Sequence, residues 1–127
     1  MRVIASTDRY VIAVDDMKNR LLLTIKGDWM RPEDVPDFLR DFESGVNLCS
    51  PNFTTMADLR EMGLQAVPDI QENAMKICVD GGVSKVAAIF GRESFAKLQL
   101  ERAGGRAGLP ARRVFTIEEA EAWLDQA

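Results

Sequence analysis

The sequence predicts an α/β domain: a mixed, mostly parallel sheet opened by an N-terminal β-hairpin, in the order β-β-α-β-α-β-α-β-α. Three observations predict it. Two early segments alternate inward and outward residues with a period of two, as strands do. Apolar stripes at steps of three and four then take turns with further strand-like runs, which implies helices crossing over parallel strands. Finally, Lys85-Val86-Ala87-Ala88-Ile89-Phe90 is almost continuously apolar, the pattern of a central strand covered on both faces.

In chain order, Tyr10, Ile12 and Val14 alternate with Val11 and Ala13, and Leu21, Leu23 and Ile25 with Leu22, Thr24 and Lys26. The polar run Asp15-Asp16-Met17-Lys18-Asn19 between them reads as the hairpin turn, and Gly27-Asp28 as the end of the second strand. Val35, Phe38, Leu39, Phe42 and Val46 form the first helical stripe. Pro36 lacks an N–H and clashes inside a helix, so this helix is expected to start near Asp34 as its N-cap. Ser50-Pro51-Asn52 leads to a third strand over 53–58. Residues 59–67 read as a strand-to-helix turn. The second helix is opened by Pro68 and Asp69, carries Ile70, Ala74, Ile77 and Cys78 after Val67, and stops at Gly81-Gly82. A third helix is expected from about Ser94 to Ala103, ended by Gly104-Gly105, and then a short edge strand, Arg112-Arg113-Val114-Phe115. Thr116 and Glu119 make a capping box for the last helix, which turns Ile117, Ala120 and Leu124 inward with Trp123 at the border.

A chain of 127 residues is one domain's worth, with its core over about residues 10–124. The net charge of −4 and the scattered aromatics argue against a nucleic-acid binder, which needs a concentrated basic face or a stacking platform. No run approaches the roughly 18 apolar residues of a membrane span. The opening residues, Met1 to Asp8, are too short and too polar for a secretory signal, so a cytoplasmic location is expected. Cys49 and Cys78 have no His or further Cys to complete a zinc site, and read as reduced, partly buried thiols.

Strand-to-helix corners of α/β sheets are where ligands and nucleophiles sit. The corner after Asp58 offers no Ser, Thr, Cys or His, and the chain has no His at all. Asp15, Asp16 and Asp58 invite comparison with the carboxylate pocket that holds a divalent cation in a receiver domain. The chain turns from that acidic pair straight into Leu21-Leu22-Leu23, where a receiver would have a helix. Gly104-Gly105-Arg106-Ala107-Gly108 follows a helix instead of preceding one, so it reads as a helix stop and not as a phosphate loop. Arg92, Arg102, Arg106, Arg112 and Arg113 make the C-terminal third locally basic. No catalytic residue, metal ligand or cofactor site is assigned. Trp29 and Met30 after the second strand, Met62 and Leu64 after the third, and Arg92 after the fourth share the carboxyl-terminal end of the parallel strands. Trp, Met and Arg are types enriched at interfaces. Trp29 and Met62 either fold back as lids over the helix starts or face a partner.

The order of elements and several strings resemble the STAS domain, the fold of bacterial anti-sigma factor antagonists. The resemblance runs from about Tyr10 to Leu124. It is carried by Thr24-Ile25-Lys26-Gly27-Asp28 before the first helix, by Ala57-Asp58-Leu59 at the end of the central strand, and by the rhythm of 85–115. It implies a single-domain STAS-like sandwich and a role in signal transduction through protein binding. It also implies a serine, phosphorylated by a partner kinase, at the start of the helix after the central strand. The corresponding place is Ala66-Val67-Pro68, and no residue from Met62 to Ile70 carries a hydroxyl. The chain therefore looks like the divergent STAS-like proteins that are grouped with lipid-binding SEC14-like folds.

The expectation is a non-catalytic regulatory module whose partner surface comprises Trp29, Met30, Asp58, Arg60, Met62, Leu64 and Arg92. The alternative is a small-molecule or lipid carrier in which the apolar members line a pocket. The edge strand over 112–114 offers a route to a homodimer. Neither nucleic-acid binding nor membrane insertion is expected.

Overall fold

Residues 1–91 and 110–126 are described by the structure, a computed structural model. They form one sheet in the order β1-β2-β3-β4-β5-β6, with strands β1 Arg2–Ser6, β2 Tyr10–Asp15, β3 Arg20–Trp29, β4 Thr54–Gln65, β5 Lys85–Ile89 and β6 Ala111–Val114. The helices are α1 Phe38–Asn47, α2 Pro68–Asp80 and α3 Ile117–Leu124. β1, β2 and β3 pair antiparallel; β3 to β6 pair parallel.

The expected hairpin is β2–β3, in register from Tyr10 opposite Ile25 to Asp15 opposite Arg20. Its turn is built locally. The Asp15 carboxylate accepts from the N–H groups of Met17 and Lys18 at 3.1 and 3.2 Å, and Asn19 takes the left-handed conformation at φ 51°. A strand that sequence reading left out, β1, precedes the hairpin and pairs with β2 through an irregularity between Val3 and Ala5. Only Ile4 and Ala5 pack on the core while Val3 is exposed, so no clean alternation marked this strand.

Because the strands advance in one direction across the sheet, right-handed crossovers put α1 and α2 on the same face. There Ile12, Leu21, Leu23, Ile25, Ala57 and Leu59 meet Phe38, Phe42 and Val46 of α1 and Ile70 and Cys78 of α2. A Cβ at Gly45 would stand 2.9 Å from Leu21 and 3.0 Å from Ile12, which is how closely α1 lies on the sheet. The opposite face is covered by α3, whose Ala120 and Leu124 pack on Ala87, Ile89 and Val114. β5 is thus buried on both faces, as its apolar run predicts.

Thr116 caps α3 as expected: its hydroxyl accepts from the Glu119 N–H at 3.1 Å and donates to the Glu119 carboxylate at 3.2 Å. The far end of α3 is held by cations, which suits the negative end of a helix dipole. Arg20, 3% exposed, donates to Asp125 at 2.7 Å and to Thr54 at 2.9 Å. The Lys85 ammonium donates to the carbonyls of Trp123 and Gln126 at 3.2 and 2.7 Å and sits 5.4 Å from the Trp123 ring centre.

Three boundaries differ from expectation. The segment Pro32–Asp34 is a short 3-10 turn, and α1 starts at Phe38, beyond Pro36. Asp34 is not its cap; the carboxylate accepts instead from Met30 and Arg31 N–H at 3.0 and 3.1 Å. Gly27-Asp28 does not end β3, which continues to Trp29, and residues 59–65 are strand and not turn. α2 does open at Pro68, and Gly82 closes it at φ +90°. The helix expected over 94–103 and the glycines at 104–108 lie outside the described residues.

Candidate functional site

β3 and β4 outrun the rest of the sheet. The last β4–β5 partners are Asp58 and Ile89, yet β3 and β4 stay paired through Lys26 with Glu61, Gly27 with Met62 and Trp29 with Gln65. The two strands leave the sheet as a ribbon with two register shifts, and Gly27 supplies the positive φ of +67° that such a shift needs. Side chains hold the ribbon closed. The Asp28 carboxylate accepts from Leu64 N–H at 2.7 Å, and the Gln65 amide donates to the Gly27 carbonyl at 3.3 Å. Gly63 is required there, because a Cβ would collide with the Asp28 carboxylate. The Ala66 N–H donates to the Trp29 carbonyl at 2.8 Å just before α2 begins.

The seven sequence-predicted residues separate by burial. Trp29 is 1% exposed and Met62 9%, so both are core residues and neither presents a contact surface. Trp29 meets Phe38 and Tyr10 edge-on at 4.8 and 6.1 Å and donates its ring N–H to the Arg9 carbonyl at 3.3 Å. Met30, just past the end of β3, and Leu64, within β4, are 47% and 61% exposed. Arg60 grips Asp58 through two bonds, at 2.9 and 2.7 Å, in the forked geometry that orients a guanidinium. Arg92 lies outside the described residues.

The carboxylates do not gather. Asp15 is level with Arg20 and Asp58 with Thr24, which puts them about 13 Å apart along the sheet. Among the described residues no three Asp, Glu or Cys side chains form a group that could hold a metal ion. Asp58, Asp34 and Asp125 each have their carboxyl held below the usual range, by the Arg60 hydrogen bond, the Met30 N–H and the Arg20 hydrogen bond respectively. A depressed folded-state pKa stabilises above the unfolded value and loses that stability as pH falls through the folded one. Stability is therefore expected to stay level from pH 7 to about 5 and to fall progressively below the ordinary aspartate value of 3.8. Urea melts across that range check it.

Both thiols are disarmed. Burial pushes the Cys78 thiol up to about 12 against a smaller opposing influence from the neighbouring Thr55 hydroxyl, and burial also raises Cys49. Because the thiolate is the nucleophile, thiol titration of native protein at pH 7.5 is expected to be slow at both cysteines and to reach two groups per chain only on denaturation.

A second feature escaped sequence reading. Between α2 and strands β3–β6 lies an apolar cavity of about 320 Å³. Trp29 lines it; Met30, Met62 and Leu64 do not. On its lining the Thr55 hydroxyl lies beside the Cys78 thiol, and Gln71 Nε2 is buried without a hydrogen-bond partner. One signal was available: in the inward phase Phe53, Thr55, Ala57, Leu59, only Thr55 is polar.

No known family model matches the chain, and no curated protein does either. Among solved structures, it is similar to the crystal structure of an uncharacterised protein of the DUF3478 family, with a SpoIIAA-like fold, from Shewanella loihica PV-4. The two share 13% identity at a TM-score of 0.63, over 94% of this chain and 97% of that one. At that identity the likeness concerns fold alone. The chain has the SpoIIAA-like fold, which is the fold of the STAS domain and its anti-sigma factor antagonists.

Proposed function

We propose that the chain is a non-catalytic regulatory module that docks a protein partner on the projecting β3–β4 ribbon. The observation that carries this reading is the ribbon itself. It is tied shut by Asp28 and Gln65, offers exposed Met30 and Leu64, and presents an oriented Arg60–Asp58 pair. Rigid apolar side chains beside a charged pair are what a docking surface supplies at low entropic cost. The corner from Met62 to Ile70 holds no hydroxyl, so partner choice here does not run through a phosphoserine. Arg92 remains a candidate contributor. Trp29 and Met62 support the ribbon from below.

The test uses native lysate of the source cells and immobilised protein, with captured chains identified by crosslinking and mass spectrometry. A Met30→Glu/Leu64→Glu double variant is expected to lose at least tenfold in recovery of the crosslinked partner. Val3→Glu, on the distant β1 edge, is expected to retain it. Equal recovery by the double variant, with melting curves unchanged, overturns the proposal.

A further inference from the structure

We propose that the docking surface continues from the β3–β4 ribbon onto the first turn of α3, and that it receives a basic amphipathic segment of a protein partner. The inference rests on the docking reading above. It adds the residues beyond the ribbon and the chemistry of what they hold.

Backbone pairing sets the continuity. β4, β5 and β6 end side by side: a Cβ at Gly91, just past β5, would stand 4.0 Å from the Arg60 carbonyl oxygen, and the Phe90 N–H donates to the Val114 carbonyl at 3.0 Å. The chain then passes through Phe115 into α3. Ile117 shares the helical stripe of Ala120 and Leu124. Yet it is 37% exposed where Ala120 is fully buried, so the first turn of α3 is not covered as the rest of the stripe is. Electrostatics places that turn at the base of the ribbon. The Arg60 guanidinium is raised above its ordinary value first by its hydrogen bond to Asp58, and it also feels Glu118 and then Glu61. Phe115 and Ile117 therefore add to Leu64 in one neighbourhood of bare, bulky apolar side chains. Apolar groups gathered so, with a polar rim, mark interaction surfaces.

Charge decides the partner. The fork of Arg60 is already turned onto Asp58, so it does not reach out to an anion. Lys26 lies level with Glu61 but makes no ion pair with it among the described residues. Against these two cations stand Asp58, Glu61, Glu118 and Glu119, and both Glu61 and Glu118 are exposed. Such an excess of carboxylates repels an acidic partner and steers a basic one in. A simple polycation would leave Leu64, Phe115 and Ile117 wet. A segment with apolar anchors on one side and Lys or Arg beside them satisfies both requirements.

The probes are a short amphipathic leucine–lysine peptide, its leucine–glutamate counterpart and spermine, each titrated calorimetrically into the full chain. The leucine–lysine peptide is expected to bind best and the other two at least tenfold more weakly. Its affinity should fall as salt is raised. Glu61→Lys/Glu118→Lys should weaken it at least tenfold. Glu43→Lys/Asp80→Lys, an equal change of net charge at exposed positions of α1 and α2, should leave it within twofold. Ile117→Gln should weaken it several-fold. Three results overturn the proposal. One is no binding of the leucine–lysine peptide up to roughly 1 mM. Another is equal or tighter binding of the leucine–glutamate peptide or of spermine. The third is a Glu61→Lys/Glu118→Lys variant that binds no more weakly than the Glu43→Lys/Asp80→Lys control. The neutral pair Met30→Ser/Leu64→Ser separates this inference from the reading beneath it. If that pair weakens the leucine–lysine peptide while the charge reversal does not, docking on the ribbon stands and its extension onto α3 falls. If neither weakens it, both fall.

Discussion

Replacing Trp29 by Ala is expected to cost about 3–5 kcal/mol, the range for a large buried aromatic, and to lower Tm by roughly 10–20 °C. The ring is 1% exposed, is met edge-on by Tyr10 and Phe38, and anchors the Arg9 carbonyl with its only polar atom. Truncation leaves a cavity that neighbours tied into β2 and α1 cannot collapse to fill. The consequence reaches function. Any loss of partner binding in Trp29→Ala would report unfolding of the ribbon's support and not a lost contact. Met30→Ala, two-fifths or more exposed, should change stability by no more than about 0.5 kcal/mol. Urea denaturation of the two variants side by side separates support from surface.

The second large effect is expected at Arg20. Its guanidinium is 3% exposed and joins β3 to Thr54 of β4 and to Asp125 just past the end of α3. Removing one member of a fully buried pair typically costs 3–5 kcal/mol. The side chain of Asp125 is 49% exposed, so water takes over much of its solvation. For Arg20→Ala we therefore expect about 2 kcal/mol, including the lost packing of the aliphatic stem. Arg20→Lys should fall between, because one ammonium cannot reproduce the fork that reaches Thr54 and Asp125 together. Denaturant midpoints give the ranking. A neutral Arg20→Ala would mean that α3 is held by Lys85 and its apolar face alone.

Periodicity carried most of the fold. The β2–β3 hairpin, the stripes of α1 and α2, the doubly covered β5 and the Thr116 cap are all local patterns, and each lies where its residues predict. What escaped depends on partners distant in sequence. β1 has only two residues to pack, so its pairing with β2 is a tertiary fact. The start of α1 was displaced because Asp34 found better use holding the Met30 and Arg31 amides. Residues 59–65 read as a turn because Arg60, Glu61 and Gly63 are turn-like singly. Pairing with an equally long extension of β3 overrides that preference. Met62 and Leu64 stand two residues apart and would share a face in a regular strand, but the register shift that follows the Gly27–Met62 pair breaks the alternation, burying Met62 and leaving Leu64 out. Within the candidate site, then, residue types were legible and exposure was not. The cavity was foreshadowed only by one threonine in an inward phase.

The rigid ribbon is the claim on which the docking proposal stands, and native-state amide hydrogen exchange addresses it directly. Exchange at Leu64 and Ala66, whose N–H groups are held by the Asp28 carboxylate and the Trp29 carbonyl, is predicted to be slowed at least a hundredfold relative to an open chain. Asp28→Ala should release Leu64 while leaving the Ala57 and Leu59 amides protected. Exchange at Glu61 through Ala66 as fast as in an unstructured peptide would contradict the account, because a fraying corner could not present Met30, Arg60 and Leu64 as one surface.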